Sequence, residues 1–236
     1  MKRVRPLLIG IAFAFSCSLS MASDEVNLAY HPASGAQWTM LSVLDAQVPI
    51  VGNKHLAVSY DLSCTDSSAD SAQLTLHIPQ VDVEGTVVGP VEASFSLSPW
   101  GDVSRLASSQ LTDSLVGPLL KNVGMIFPKL PGGLVSVGAG WTAREVLHLP
   151  DLGKMKLPSK IRLDGAFNYL RPVGGREEIS ISYREADGDI KVKLEGKCFY
   201  DKETGIITNA GIKGTIKVKR FFKWFTIPVS INAEMK

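Results

Sequence analysis

Residues 190–220 read IKVKLEGKCFYDKETGIITNAGIKGTIKVKR, and this stretch decides the fold. Ile190, Val192 and Leu194 alternate with Lys191, Lys193 and Glu195, and Ile216 and Val218 alternate with Lys217 and Lys219. A period of two places successive side chains on opposite faces of an extended chain, so each run is a strand with one apolar and one wet face. Between the runs, Tyr200-Asp201-Lys202-Glu203-Thr204-Gly205 supplies a turn, with Gly205 free to take positive φ. A strand, a short turn and a strand make an antiparallel pair.

The same period recurs along the chain. It runs through Leu56, Val58, Tyr60, Leu62 and Cys64, then through Leu74, Leu76 and Ile78, and through Phe95 and Leu97. It returns at Ile161, Leu163, Phe167 and Tyr169, at Ile179, Ile181 and Tyr183, and at Phe225, Ile227, Val229 and Ile231. Glu185–Asp189 forms a second turn between strands. The apolar phase slips near Pro79 and again near 221–224, where a bulge or turn is expected because a one-residue shift swaps faces.

One segment breaks the pattern. SQLTDSLVGPLLKNVGMIFP, residues 109–128, spaces Leu111, Leu115, Leu119, Val123 and Ile126 by three and four. That spacing predicts an amphipathic helix that could act as a lid, capped by Thr112 and interrupted at Gly117-Pro118. FPKLPGGLVSVGAGW, residues 127–141, then leads into a strand near Trp141. A phosphate-cradling glycine loop needs the order strand, loop, helix, so that helix N–H groups face the anion. Here the order is helix, loop, strand, and the stretch reads as a Pro/Gly joint.

The helix, the "FPKLP" stretch, the V-x-V-G-x-x-W motif over 135–141 and the late CFYDKETGII hairpin resemble a family of exported bacterial all-β proteins. Their layout is similar to the half-barrel lipoprotein carriers of the bacterial envelope. The resemblance implies a sheet curved around a greasy cavity and closed by helices. It carries over no functional residue.

The first 22 residues have the layout of a secretory signal peptide: Lys2, Arg3 and Arg5, an apolar run from Pro6 to Phe15, and Ser20-Met21-Ala22 as a small-x-small cleavage site. Ala14-Phe15-Ser16-Cys17 is similar to a lipobox, so lipidation at Cys17 is the alternative processing route. The whole chain carries 25 basic and 23 acidic residues. Three of the basic and none of the acidic ones lie in residues 1–22, so 22 face 23 in the remainder. The basic balance therefore belongs to the leader and argues against nucleic acid as a partner. Residues 23–236 read as one β-rich domain with no transmembrane helix.

Candidate chemistry is sparse. His31, His55, His77 and His148 lie in four separate segments without zinc spacing, and no Gly-x-Ser-x-Gly elbow surrounds Ser136. Asp82 with Glu84, and Glu178 with Ser180, share strand faces and read as solvated. No cofactor is implied. Cys64 and Cys198 sit on the apolar faces of their strands, and in an oxidising compartment they could form a disulfide or remain two buried thiols. Lys217, Lys219, Arg220 and Lys223 are interleaved with Phe221, Phe222, Trp224 and Phe225. They could contact lipid headgroups, form a wet strand face, or pair with Glu177 and Glu178.

The expected fold is therefore mainly β: a single antiparallel, strongly curved, half-barrel-like sheet with one amphipathic helix on its concave side. A two-sheet β-sandwich is the alternative. The expected role is that of a non-enzymatic, exported envelope protein, periplasmic or extracellular, that binds a lipid or other apolar small molecule on the concave face. An envelope assembly protein acting on a protein partner, and a hydrolase with a spatial site invisible in sequence, are the other two classes.

Overall fold

The structure is a computed structural model and describes residues 25–48, 52–83, 86–113, 116–148, 159–185, 189–220 and 223–236. Expectations for the leader, for Cys17 and for Leu115 fall outside the described residues, as do those for the side chains of Leu119 and Arg220. In chain order the strands are β1 (Val26–Leu28), β2 (Gln37–Val48), β3 (Gly52–Ser67), β4 (Ala72–Ile78), β5 (Val81–Val83), β6 (Thr86–Val88), β7 (Val91–Leu97) and β8 (Val103–Ala107). A short α-helix, α1 (Val116–Lys121), and a 3-10 turn (Val123–Ile126) follow. The chain then returns to strands: β9 (Gly133–Val135), β10 (Gly140–His148), β11 (Lys160–Val173), β12 (Arg176–Glu185), β13 (Ile190–Asp201), β14 (Ile206–Arg220) and β15 (Lys223–Met235).

Eleven of these strands form one antiparallel sheet in the order β10-β11-β12-β13-β14-β15-β2-β3-β4-β7-β8. The expected single sheet is observed, and the sandwich is not. Almost every neighbour is a hairpin partner, as the alternation predicts. The exception that shapes the molecule is β15 on β2, with Ile231 opposite Leu44 and Met235 opposite Met40. That pairing joins the two ends of the chain's sheet. The free edges are then β8 and β10, which are consecutive strands of the sheet in sequence.

The sheet is strongly curved. Phe95 on β7 and Tyr200 on β13 are six strand steps apart, about 29 Å across a flat sheet. Three ring contacts nevertheless span them: Phe95 to Phe127 at 5.8 Å, Phe127 to Tyr30 at 5.6 Å, and Tyr30 to Tyr200 at 6.5 Å. Glycine permits the bend between β13 and β14. A Cβ at Gly196 would run into the Gly211 carbonyl oxygen, and one at Gly214 would run into that of Lys193. The core is the inner face, where Leu62, Leu74, Phe95, Leu163, Phe167, Ile179, Tyr183 and Cys198 are all buried.

The gap between β8 and β10 is filled by the helical segment, which departs from expectation. The predicted long amphipathic helix is a six-residue helix followed by a 3-10 turn. Asp113, and not Thr112, caps it: the Val116 N–H donates to Asp113 Oδ1 at 2.8 Å. Pro118 then falls in the first turn, where its missing N–H costs nothing. A Cβ at Gly117 would lie 2.5 Å from the Leu111 carbonyl oxygen, so glycine lets the preceding turn pack closely against the start of the helix. The late start shifts the buried phase to Val116, Leu120 and Val123, while Leu111 and Ile126 are half-buried against the core. Of the predicted lid residues, Val123 alone is fully buried among the described side chains. The segment also bridges edges where a lid over the concave face was expected. Asn122 exchanges two hydrogen bonds with the backbone of His148 at the end of β10, both 2.7 Å, and Gly124 lies beside Val103 of β8. An uncovered strand edge invites pairing with another chain, and this contact blunts it.

A second departure is the two-stranded sheet of β1 with β9. Residues 25–36 pass inside one end of the curve. Tyr30 N–H donates to Pro99 O, Tyr30 Oη to Pro128 O at 2.9 Å, and Tyr200 Oη to Ala29 O at 2.6 Å. That end is plugged. FPKLPGGLVSVGAGW runs across it as the joint expected, with Gly132 and Gly138 at positive φ.

Candidate functional site

Along β14, β15, β2 and β3 the inner face follows the cross-strand register. Ala210, Ala233, Ser42 and Val58 form one row; Ile212, Ile231, Leu44 and Leu56 form the next; Gly214, Val229, Ala46 and Lys54 form a third. On the strands to either side the inward side chains are buried. Here most of them are only half-buried, although they belong to the same face. The apolar face of the sheet thus continues into a strip that the plug does not reach. Small side chains at Ala210, Gly214, Ala233 and Ala46 leave room above it. A depression of about 300 Å³ lies at the end of β2, β3 and β15 away from the plug, lined mostly by outward-facing residues such as Asp45, Asn53, His55 and Ser230, together with Ala46, Lys54 and Val229 of the inward rows. Ser42 Oγ and Tyr60 Oη share a hydrogen bond of 3.1 Å at the plugged end of the strip.

The opposite wall carries a polar pair inside the core. Glu145 on β10 shares its face with Trp141, Ala143 and Leu147, and is 7% exposed. Its Oε1 and the Tyr183 hydroxyl are both buried without a hydrogen-bond partner among the described residues. Gly165, which sits between Ala143 and Tyr183 in register, makes room for the phenol ring. A Cβ there would lie 3.1 Å from Tyr183 Cε1 and 2.9 Å from the Phe167 ring. Burial pushes the Glu145 carboxyl up to about 7, against the pull of the Lys129 ammonium. Burial also pushes the Tyr183 and Tyr30 phenols well above their usual range. Two orphaned groups in a dry core cost stability. The sequence held the signal: Glu145 is a carboxylate in phase with Trp141 and Leu147, and it was missed.

Other sequence-singled residues resolve differently. Cys64 and Cys198 are both buried and both free. The disulfide is not formed in this structure: the two thiols sit on β3 and β13, which are four strand steps apart in the sheet. The Cys64 thiol instead faces the Asp66 and Pro32 carbonyls at 3.3 and 3.7 Å, and burial pushes the Cys198 thiol up. The four histidines stay apart: His55 pairs with Asp45 at 2.7 Å, His77 with Glu92 at 3.5 Å, and His31 Nδ1 lies 2.6 Å from Ala29 O. Among the described residues no three His, Cys, Asp or Glu side chains converge as a metal site.

Glu177 and Glu178 are buried rather than solvated. Glu177 takes Lys202 and the Tyr169 hydroxyl; Glu178 takes Lys197 at 2.6 Å and Arg171 at 3.1 Å, and these hydrogen bonds hold its carboxyl below the usual range. These acids are therefore not the partners of the C-terminal lysines. Lys217 and Lys219 are exposed on the outer face, Lys223 is exposed at the start of β15, and none of the three forms a salt bridge among the described residues.

No known protein family matches the chain, and no curated protein does. One solved structure aligns with it: DynF from the dynemicin biosynthesis pathway of Micromonospora chersina, at 11% identity over 91% of this chain and 86% of that one, with a TM-score of 0.23. At that score the likeness carries no argument about fold or function.

Proposed function

We propose that the protein is a non-enzymatic envelope protein that holds an apolar ligand, a lipid or acyl chain, against the open strip of its inner face. One observation carries this reading: the apolar face that is buried on the neighbouring strands stays half-exposed across Ala210, Ile212, Ile216, Ile231, Leu44, Leu56 and Val58. A contiguous apolar strip left open inside a curved sheet is a binding surface for apolar groups, since covering it returns about 25 cal/mol per Å². The leader-like first 22 residues support an exported location. No helix among the described residues is long and apolar enough to cross a membrane.

The test is native mass spectrometry of protein purified from its own envelope, followed by organic extraction. A stoichiometric lipid-sized mass is expected. Leu44→Asp and Ile231→Asp place a charge on the strip at half-exposed positions, and should abolish uptake while leaving the cooperative unfolding transition in place. A clean apo mass, with no uptake of added fatty acid or phospholipid, would overturn the proposal and move the search to protein partners.

A further inference from the structure

We propose that the outer face of the sheet, where β13 starts, β14 ends and β15 starts, docks the protein onto an anionic phospholipid bilayer. This surface is distinct from the inner strip, because Val218, Ile190 and Val192 point inward and are buried while their neighbours Lys217, Lys219 and Lys191 point outward. Register places Lys191 directly opposite Lys217, and Lys219 directly opposite Trp224, with Lys223 next to it on β15. Like charges facing each other across a strand pair destabilise a sheet. Among the described residues Lys191, Lys217, Lys219 and Lys223 form no salt bridge; Asp189, whose carbonyl accepts the Lys219 N–H at 2.8 Å, stands at the rim of the patch without an ion pair to them. By contrast, the neighbouring opposed pair Arg184 and Lys193 shares Glu195, at 3.7 and 3.3 Å. A standing repulsion is removed when the surface meets negative charge.

Trp224 says which kind of negative surface. It is 41% exposed, and Lys191 Nζ lies over its ring at 4.8 Å from the centroid. An indole with an apolar body and one N–H donor partitions to the headgroup level of a bilayer, and flanking lysines with long apolar stems fit the same depth. A single-stranded nucleic acid would call for several aromatic platforms in series, and bidentate phosphate recognition would call for arginine. Among the described side chains this patch offers Trp224 and lysine point charges, which suits a diffuse anionic plane. It also lies at the end of the sheet away from the Tyr30–Phe127 plug, so docking leaves the plug untouched.

The experiment uses the full chain and sedimentation with vesicles of phosphatidylcholine alone or with about one quarter phosphatidylglycerol. Binding to the anionic vesicles only, lost at high salt, is expected, with a blue shift in emission that Trp224→Phe removes. The triple variant Lys191→Gln, Lys217→Gln, Lys219→Gln should lower the anionic-vesicle partition on the order of 100-fold, while the same three sites as arginine retain it. The triple glutamine variant should also unfold at an equal or higher denaturant concentration, since it removes the opposed charges; that separates lost docking from lost folding. Equal binding to neutral vesicles, or an unchanged partition for the glutamine variant, would overturn the proposal. Tighter binding to heparin or single-stranded DNA than to the vesicles would also overturn it and assign the patch to another polyanion. Uptake of an apolar ligand by the inner strip is insensitive to headgroup charge and salt, so failure of that reading is read separately.

Discussion

Replacing Glu145 by Gln removes one titration from the core and leaves its shape. The folded-state carboxyl is pushed up from 4.5 to about 7 by burial. A group whose folded value lies above its unfolded value holds its proton more tightly when folded. Below about pH 4 the side chain is neutral in both states and contributes no penalty. As pH rises through the interval from 4.5 to about 7, the unfolded chain releases the proton while the folded chain keeps it, and stability falls by about 1.4 kcal/mol per pH unit. Above the folded value the loss is complete, at roughly 3 kcal/mol. Glutamine is neutral throughout. The stability difference between Glu145→Gln and the parent should therefore be near zero at about pH 4 and rise to roughly 3 kcal/mol in favour of the variant at about pH 8.5. Urea unfolding of both proteins across this range is the assay. Taking the difference cancels every other titrating group, including Glu178. Two curves that stay parallel with pH would show that Glu145 is solvated in the folded state, and would refute the argument from its burial.

Gly196→Ala should cost about 3 kcal/mol or more, because the new Cβ meets the Gly211 carbonyl and lies 2.7 Å from Ile212 Cα, both rigid backbone. Gly211→Ala points outward and meets only Asn232 Oδ1 at 3.3 Å, so it should be close to neutral; equal melting temperatures for the two would contradict the bend at Gly196. Tyr183→Phe removes an orphaned buried hydroxyl and should leave stability unchanged or raise it, whereas Tyr30→Phe breaks the bond to Pro128 and should cost about 1 kcal/mol in denaturant titrations. Both thiols, Cys64 and Cys198, should resist maleimide labelling in the folded protein and label fully after denaturation without reductant; protection in the denatured state would show a disulfide instead.

Much of this fold is local and was legible. The alternation of Ile190, Val192 and Leu194 with lysines, and of Leu62 and Cys64 with Asp61 and Ser63, determines strand and face together, because side-chain direction in an extended chain depends only on parity. The turn at 201–205 was legible from its polar residues and Gly205, which does take positive φ, 68°. Tyr183 could be placed on the inner face from Ile179 and Ile181. The helix phase could not be placed, because its start depends on the close approach of Leu111 to Gly117 and on the Asp113 cap, which the periodicity of leucines does not encode.

Parity says nothing about distance through space. Whether β15 closes on β2, whether the gap opens between β8 and β10, and which part of the inner face the 25–36 segment covers are set by contacts between residues far apart in the chain, such as Met235 with Met40 and Tyr200 with Ala29. The same pattern of inward leucines and isoleucines serves a filled core and an open strip alike. What makes Leu44 and Ile231 half-exposed and Leu74 buried is whether a second segment of chain lies over them, and only the tertiary structure decides that.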